Sequence, residues 1–231
     1  MKPEEYPLYG VAVDCVVFGL DHTPRLEVLL MRRENEPFTG RWALPGVFVR
    51  EKENAEEAAR RALSTKTGLS CGYLEQLATF SDPDRDPRGR VISVAYYALV
   101  TPQHEPAAQP ASFSTEARWW DLERCPKLPF DHRAILDAAL ERLRGKLSYR
   151  PIGIELLPEK FTMPQLRAVY QAILQRRTDP ANFRRKMLPT GLLKDTGERV
   201  GDPRGGRPAV VYSFDRGRYE RLLKSGFTLD I

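Results

Sequence analysis

Apolar positions along the first two thirds of the chain alternate between strand-like runs and helical stripes. Residues 11–18, VAVDCVVF, and 26–31, LEVLLM, are apolar and β-branched and flank the turn-rich GLDHTPR, which predicts a strand pair. Further strands are predicted in VISVAYYALV at 91–100 and ARWWDL at 117–122. Between the two pairs lies a helix. Asn54 is placed to cap it, Glu57 three residues on completes a capping-box pattern, Ala58, Ala59, Ala62 and Leu63 form an apolar stripe, and Gly68 ends it. A second helix over about 133–146 carries Ile135, Leu136, Ala139, Leu140 and Leu143 at helical spacing. This order predicts a layered α/β domain over residues 1–150.

After Tyr149-Arg150-Pro151 the pattern changes. Thr162 and Gln165 make a capping-box pair, and Leu166, Val169, Tyr170, Ile173 and Leu174 form the apolar face of a helix reaching about Gln175. Asp179 caps the next helix, Pro180 suits its first position, and Pro189 stops it. A short apolar run at 191–193, a polar loop rich in Gly and Asp, and PAVVYSF at 208–214 follow, with Val210, Tyr212 and Phe214 predicted to share one strand face. Helix, short turn, helix and hairpin is the order of a winged helix-turn-helix, assigned to residues 151–231.

Charge separates the same two segments. Residues 151–231 hold 15 Lys and Arg against 9 Asp and Glu, while residues 1–150 hold 21 against 22, so the net +5 of the chain belongs to its last third. A basic segment of this kind points to an anionic partner, nucleic acid above all. No apolar run approaches the roughly 20 residues of a membrane span, and MKPEEYPLYG is acidic where a signal peptide is basic, so a cytoplasmic protein is expected. Cys15, Cys71 and Cys125 are far apart, and His22, His104 and His132 lack zinc spacing; neither a metal nor a cofactor is expected.

Chemistry enters at residues 47–69, VFVREKENAEEAARRALSTKTGL. The spacing resembles the Nudix box, which reads Gly, five residues, Glu, seven residues, Arg-Glu-aliphatic, one residue, Glu-Glu, one residue, Gly-aliphatic. Glu53, Arg61, Leu63, Gly68 and Leu69 match it; Val47 replaces the first Gly, Ala62 the Glu after the Arg, and Thr65-Lys66 the Glu-Glu pair. RRENEPFTGRWALPG at 32–46 resembles the segment that leads into the box. The likeness implies an α/β/α sandwich with a mixed sheet over roughly residues 8–147. Nudix hydrolases use Mg²⁺ or Mn²⁺ to split diphosphates, and such hard cations need oxygen ligands, chiefly carboxylates. A methyl, a hydroxyl and an ammonium stand at those positions here, so no catalytic residue is assigned. A site without its metal ligands still has groups that grip a nucleotide: Arg32, Arg33, Arg41, Trp42 and Phe48 near the box, and Arg85, Arg88 and Arg90 in SDPDRDPRGRV, are the candidates for effector binding.

In the basic segment, Asn182, Arg184, Arg185 and Lys186 fall in the first two turns of the second helix. There a helix-turn-helix addresses base edges, Arg reading guanine and Asn adenine. Phe183 and Met187 are expected to turn inward. Lys160, Thr162 and Gln165 at the start of the preceding helix are candidates for phosphate contact, as are Arg204 and Arg207 in the wing loop GDPRGGRP.

A Nudix-like domain with a degenerate box followed by a winged helix is similar to the NrtR family of bacterial transcription regulators and to its arabinose-responsive AraR relatives. The carrying stretches are VAVDCVVFG, DRDPRGRVISVAYYAL, LPFDH, LLPEKFT with LRAVYQAIL, NFRRKM and GRPAVVYSF. The resemblance implies a homodimeric repressor of NAD biosynthesis or salvage genes that senses ADP-ribose and binds a palindromic operator in double-stranded DNA. The alternatives that stay open are a sugar-responsive repressor of the same architecture and an active Nudix hydrolase with an accessory domain.

Overall fold

The computed structural model describes residues 8–69, 71–101, 116–201 and 208–229. The chain divides into two compact units, Met1–Gly19 with Glu27–Glu141, and Leu20–Leu26 with Arg142–Ile231. The division falls inside a helix, whereas the sequence reading set its boundary at residue 150.

The first unit contains β1 (Gly10–Leu20), β2 (Leu26–Arg32), β3 (Trp42–Ala43), β4 (Gly46–Phe48), α1 (Ala55–Thr67), β5 (Tyr73–Phe80), β6 (Val91–Leu99), β7 (Ala117–Asp121) and the start of α2 (His132–Leu147). The sheet runs β3-β2-β1-β6-β5, with β4 also on β1 and β7 on β2. β1 and β6 are parallel, from Gly10 opposite Val91 to Phe18 opposite Leu99, while β5 on β6 and β4 on β1 are antiparallel. The sheet is therefore mixed. β1 sits at its centre with Val13, Cys15, Val16, Val17 and Phe18 fully buried, which is why it reads as an apolar run interrupted by Asp14.

α1 forms as its sequence dictates. The Asn54 carboxamide accepts from the Glu57 N–H, the Glu57 carboxylate accepts from the Asn54 N–H, and Gly68 closes the helix at φ +69°. Such a cap is worth about 1 kcal/mol. Ala58, Ala59, Ala62 and Leu63 pack with Val13, Cys15, Val17 and Tyr96, so α1 covers the sheet with small residues.

The second unit contains β8 (Lys160–Thr162), α3 (Met163–Leu174), α4 (Pro180–Met187), β9 (Leu193–Val200), β10 (Ala209–Phe214) and α5 (Arg216–Lys224), with an antiparallel sheet in the order β8-β10-β9. Thr162 and Gln165 form their capping box, Asp179 accepts from the Asn182 N–H, and Phe183 meets Tyr170 edge-on at 5.1 Å. Two expectations need correction. The first half of the polar loop after Leu193 is strand, since β9 extends to Val200. The pairing of β10 with β9 is irregular between Val210 and Tyr212, and Val211 is buried beside Tyr212, so strict alternation fails there. After the hairpin comes α5, which the apolar pattern does not predict.

Candidate functional site

The first unit carries a cleft of about 230 Å³ between β4, the segment after β2, the loop 81–90 and the residues leading into α2. Its floor is a buried ion network. Asp14 on β1 accepts from the Ser93 hydroxyl at 2.6 Å and from Arg85 Nη2 at 3.1 Å. Arg85 is also held by both oxygens of Asp131, at 2.8 and 2.7 Å. The Leu44 N–H donates to His132 Nδ1 at 3.1 Å, which leaves the His132 proton on Nε2, 3.5 Å from Asp14 Oδ1. Burial opposes a charge on Asp14, but His132, Ser93 and Arg85 outweigh it and hold the carboxyl at about 2. Gly46 has to be glycine here, because a Cβ would lie 2.5 Å from Asp14 Oδ1 and 2.8 Å from the Val13 carbonyl.

Above this floor lie cations and aromatic rings. The Arg33 guanidinium lies 4.8 Å from the Phe130 ring centre, and Arg88 lies 5.8 Å from the same ring and 5.3 Å from that of Phe48. Phe130 and Phe38 meet edge-on at 4.9 Å, and both have positive φ, +53° and +68°. Bulky side chains rarely adopt that region, at a cost of about 1–3 kcal/mol each, and such strain gathers at ligand sites. Arg88 is paired with Asp86, whose carboxyl its hydrogen bonds hold below the ordinary range.

Of the effector candidates, Arg32, Arg33, Phe48, Arg85 and Arg88 line the cleft. Arg85 is spent inside the ion network and is a buried framework residue. Arg41, Trp42 and Arg90 lie outside the lining: Arg41 sits over Phe38, Trp42 packs edge-on against Trp120 at 5.5 Å, and Arg90 donates to the Ser81 carbonyl. Asp14, Asp86, Phe130 and His132 line the cleft without having been singled out. Asp14 had one visible signal, a carboxylate inside an otherwise apolar strand.

The donor set for a Nudix metal does not fit. Glu53 is gripped by Arg61, whose Nε donates at 2.9 Å and whose Nη2 also reaches the Phe48 carbonyl at 2.9 Å, and the Arg61 hydrogen bonds hold the Glu53 carboxyl down at about 2. This pair ties α1 to β4. Ala62 is fully buried, Thr65 donates its hydroxyl to the Arg61 carbonyl, and Lys66 is exposed and lines the cleft. Among the described residues no three His, Cys, Asp or Glu side chains are grouped to hold a metal ion. Among the same residues no helix is long and apolar enough to cross a membrane.

In the second unit α4 presents its faces as helical geometry requires. At about 100° per residue, burying Phe183 and Met187 turns Arg185 directly away from the core, with Asn182 and Lys186 on one flank and Arg184 on the other. Asn182, Arg184 and Arg185 are exposed and Lys186 is half-buried. Arg185 donates to the Asn182 carboxamide at 2.7 Å, and Arg184 to the Tyr212 hydroxyl on β10 at 3.3 Å. A recess of about 330 Å³ at the start of α4 is lined by Arg176, Arg177, Asp179, Asn182 and Lys186, of which the two arginines were not anticipated. Lys160 stands on β8, paired with Glu198 of β9. The Thr162 and Gln165 side chains hydrogen-bond in the capping box at the start of α3. Arg204 and Arg207 lie outside the described residues.

A mixed-sheet domain of Nudix form followed by a winged helix defines the class, and comparison with known proteins agrees. The NUDIX domain model matches residues 8–142, and the model described as the NrtR DNA-binding winged helix domain matches residues 153–214. The chain is 36% identical over 217 residues to the ADPR responsive transcriptional repressor NtrR of Acinetobacter baylyi, covering 92% of this chain and 85% of that one. The crystal structure of Shewanella oneidensis NrtR complexed with a 27mer DNA superposes with a TM-score of 0.80 at 35% identity, covering 95% of this chain and 97% of that chain. The NUDIX domain of the same Shewanella protein complexed with ADP ribose matches with a TM-score of 0.54 at 36% identity, covering 62% of this chain and 94% of that one. An ADP-ribose pyrophosphatase of Methanocaldococcus jannaschii is 40% identical over 136 residues, 58% of this chain and 76% of its own. The chain belongs to the NrtR family.

Proposed function

We propose that this protein is a DNA-binding transcriptional repressor whose Nudix-like domain senses ADP-ribose and does not hydrolyse it. The observation that carries the reading is a cation-rich cleft joined, in one chain, to a winged helix that turns Asn182, Arg184 and Arg185 to solvent. The relatives with both halves are an ADPR responsive repressor and a protein crystallised with DNA, and the latter's Nudix domain was crystallised with ADP ribose. Residues 1–150 are the effector-sensing and dimerising part, and residues 151–231 bind DNA, acting in the cytoplasm on a palindromic operator of NAD biosynthesis or salvage genes. Arg33, Arg88 and Phe48 are the effector contacts favoured by their place in the cleft. Unpaired positive charge favours a nucleotide over a neutral pentose such as arabinose.

The pyrophosphatase of Methanocaldococcus supports the hydrolase alternative, since it shares the first domain. Against it stand Ala62, Thr65 and Lys66 at the box's carboxylate positions, and a Glu53 committed to Arg61. One pair of measurements separates the readings. In a mobility shift on the DNA upstream of the protein's own operon, ADP-ribose raises the apparent Kd at least about tenfold, a coupling within the usual 1–3 kcal/mol, while arabinose leaves it unchanged. In the same buffer with Mg²⁺, no AMP is released from ADP-ribose. Unchanged operator affinity at saturating ADP-ribose overturns the regulatory reading, and stoichiometric turnover overturns the non-enzymatic one.

A further inference from the structure

Positive charge in the cleft is not all held in ion pairs. Five cationic side chains line it, Arg32, Arg33, Lys66, Arg85 and Arg88, beside the carboxylates Asp14, Glu34 and Asp86. Arg85 is neutralised by Asp14 and Asp131, Arg88 by Asp86, and Arg32 by Glu116. Arg33 bonds to the carbonyl oxygens of Pro37 and Asn35, at 2.8 and 3.2 Å, which orient its guanidinium without neutralising it. Lys66 makes no ion pair with the described residues. Arg33 and Arg88 also share the Phe130 ring, so two like charges lie near one aromatic ring. Burial, and then the charge of Arg88, push the Arg33 pKa down, against the opposing pull of Asp86, Asp14 and Glu36.

Lys66 stands where the box carries a carboxylate, so the sign of the charge at that end of the cleft is inverted. A carboxylate there calls for a divalent cation before a diphosphate can approach. An ammonium repels such a cation and attracts the phosphate itself. An ammonium also brings no activated water. Its other role, favourable placement at the C-terminal end of α1, is compatible with this one, because the last turn holds the stem while the head reaches the cleft.

We propose that Lys66 and Arg33 bind the diphosphate of the effector directly, in place of a divalent cation, so that effector binding is independent of Mg²⁺ and Mn²⁺. The proposal rests on the reading of ADP-ribose as effector and deepens it. Titration calorimetry on the full chain with ADP-ribose, in EDTA and in Mg²⁺, with AMP as the single-phosphate control, tests it. The Kd for ADP-ribose is the same in both buffers. Lys66→Met weakens ADP-ribose by about 10- to 100-fold, the span of a charge-assisted hydrogen bond. AMP is weakened less, and Lys66→Arg restores most of the loss. Lys66 is exposed, so these variants keep the wild-type Tm, which is measured alongside. Binding that requires Mg²⁺, or a Lys66→Met variant that binds ADP-ribose like wild type, overturns this proposal and leaves the effector reading intact. Absence of ADP-ribose binding in both buffers overturns both.

Discussion

Asp14 keeps its charge where burial opposes it because a hydroxyl, a guanidinium and an imidazole N–H all face its carboxylate. A carboxyl held at about 2 against an ordinary 3.8 adds stability that is complete above pH 3.8 and is lost as the pH falls toward 2. At 1.36 kcal/mol per unit the contribution is about 2 kcal/mol. Urea unfolding of wild type and Asp14→Asn should therefore converge by about that amount between pH 5 and pH 2, and a difference that stays constant over this range removes the assigned role. Single positions also show what the sequence hides. The reversed charge at Lys66 and the methyl at Ala62 are visible in the box spacing alone. The network is not, because Asp14 meets partners at 85, 93 and 132 that no local pattern connects. For the same reason Arg85 looks in sequence like a ligand arginine, and the fold spends it internally.

Elements were legible wherever one face is buried. α1, α3 and α4 each combine an apolar stripe with a cap, α2 carries a stripe, and β1, β2 and β6 are apolar runs within the main sheet. β9 is largely exposed along its whole length and carries Lys194, Asp195, Glu198 and Arg199, so alternation carries no signal there. β5, at an edge of its sheet, is mostly half-buried or exposed, and α5 has no buried residue, which weakens their periods too. α4 yields the sharpest functional expectation. Arg185 points away from Phe183 and Met187 and is oriented by Asn182, as a base-reading side chain has to be. Arg184, tied to Tyr212, is less free to do so. Arg185→Ala should lower the ratio of operator to random-sequence affinity by about 1–3 kcal/mol while random-sequence binding falls only by about one phosphate equivalent in the salt slope. Equal losses on both DNAs place Arg185 on the backbone instead.

For the whole molecule, the change in charge and pattern after Pro151 located a second module. The compact units divide within α2, however, and the family models end at 142 and begin at 153. A helix that continues through such a division has no break in its apolar spacing for a sequence reading to find. With one ligand assigned to each module, regulation is a coupling free energy between them, and it has to be reciprocal. If ADP-ribose raises the operator Kd by some factor, saturating operator has to raise the ADP-ribose Kd by the same factor. The first is measured by fluorescence anisotropy of labelled operator across an ADP-ribose titration, the second by calorimetry of the protein with and without operator, both at one salt concentration because the DNA term depends steeply on it. Agreement within about twofold identifies a single linked equilibrium between an operator-binding and an effector-binding state. An operator that leaves ADP-ribose affinity untouched, while ADP-ribose displaces the operator, instead means that the nucleotide competes at the DNA surface. Calorimetry then finds a second ADP-ribose site that Lys66→Met does not weaken.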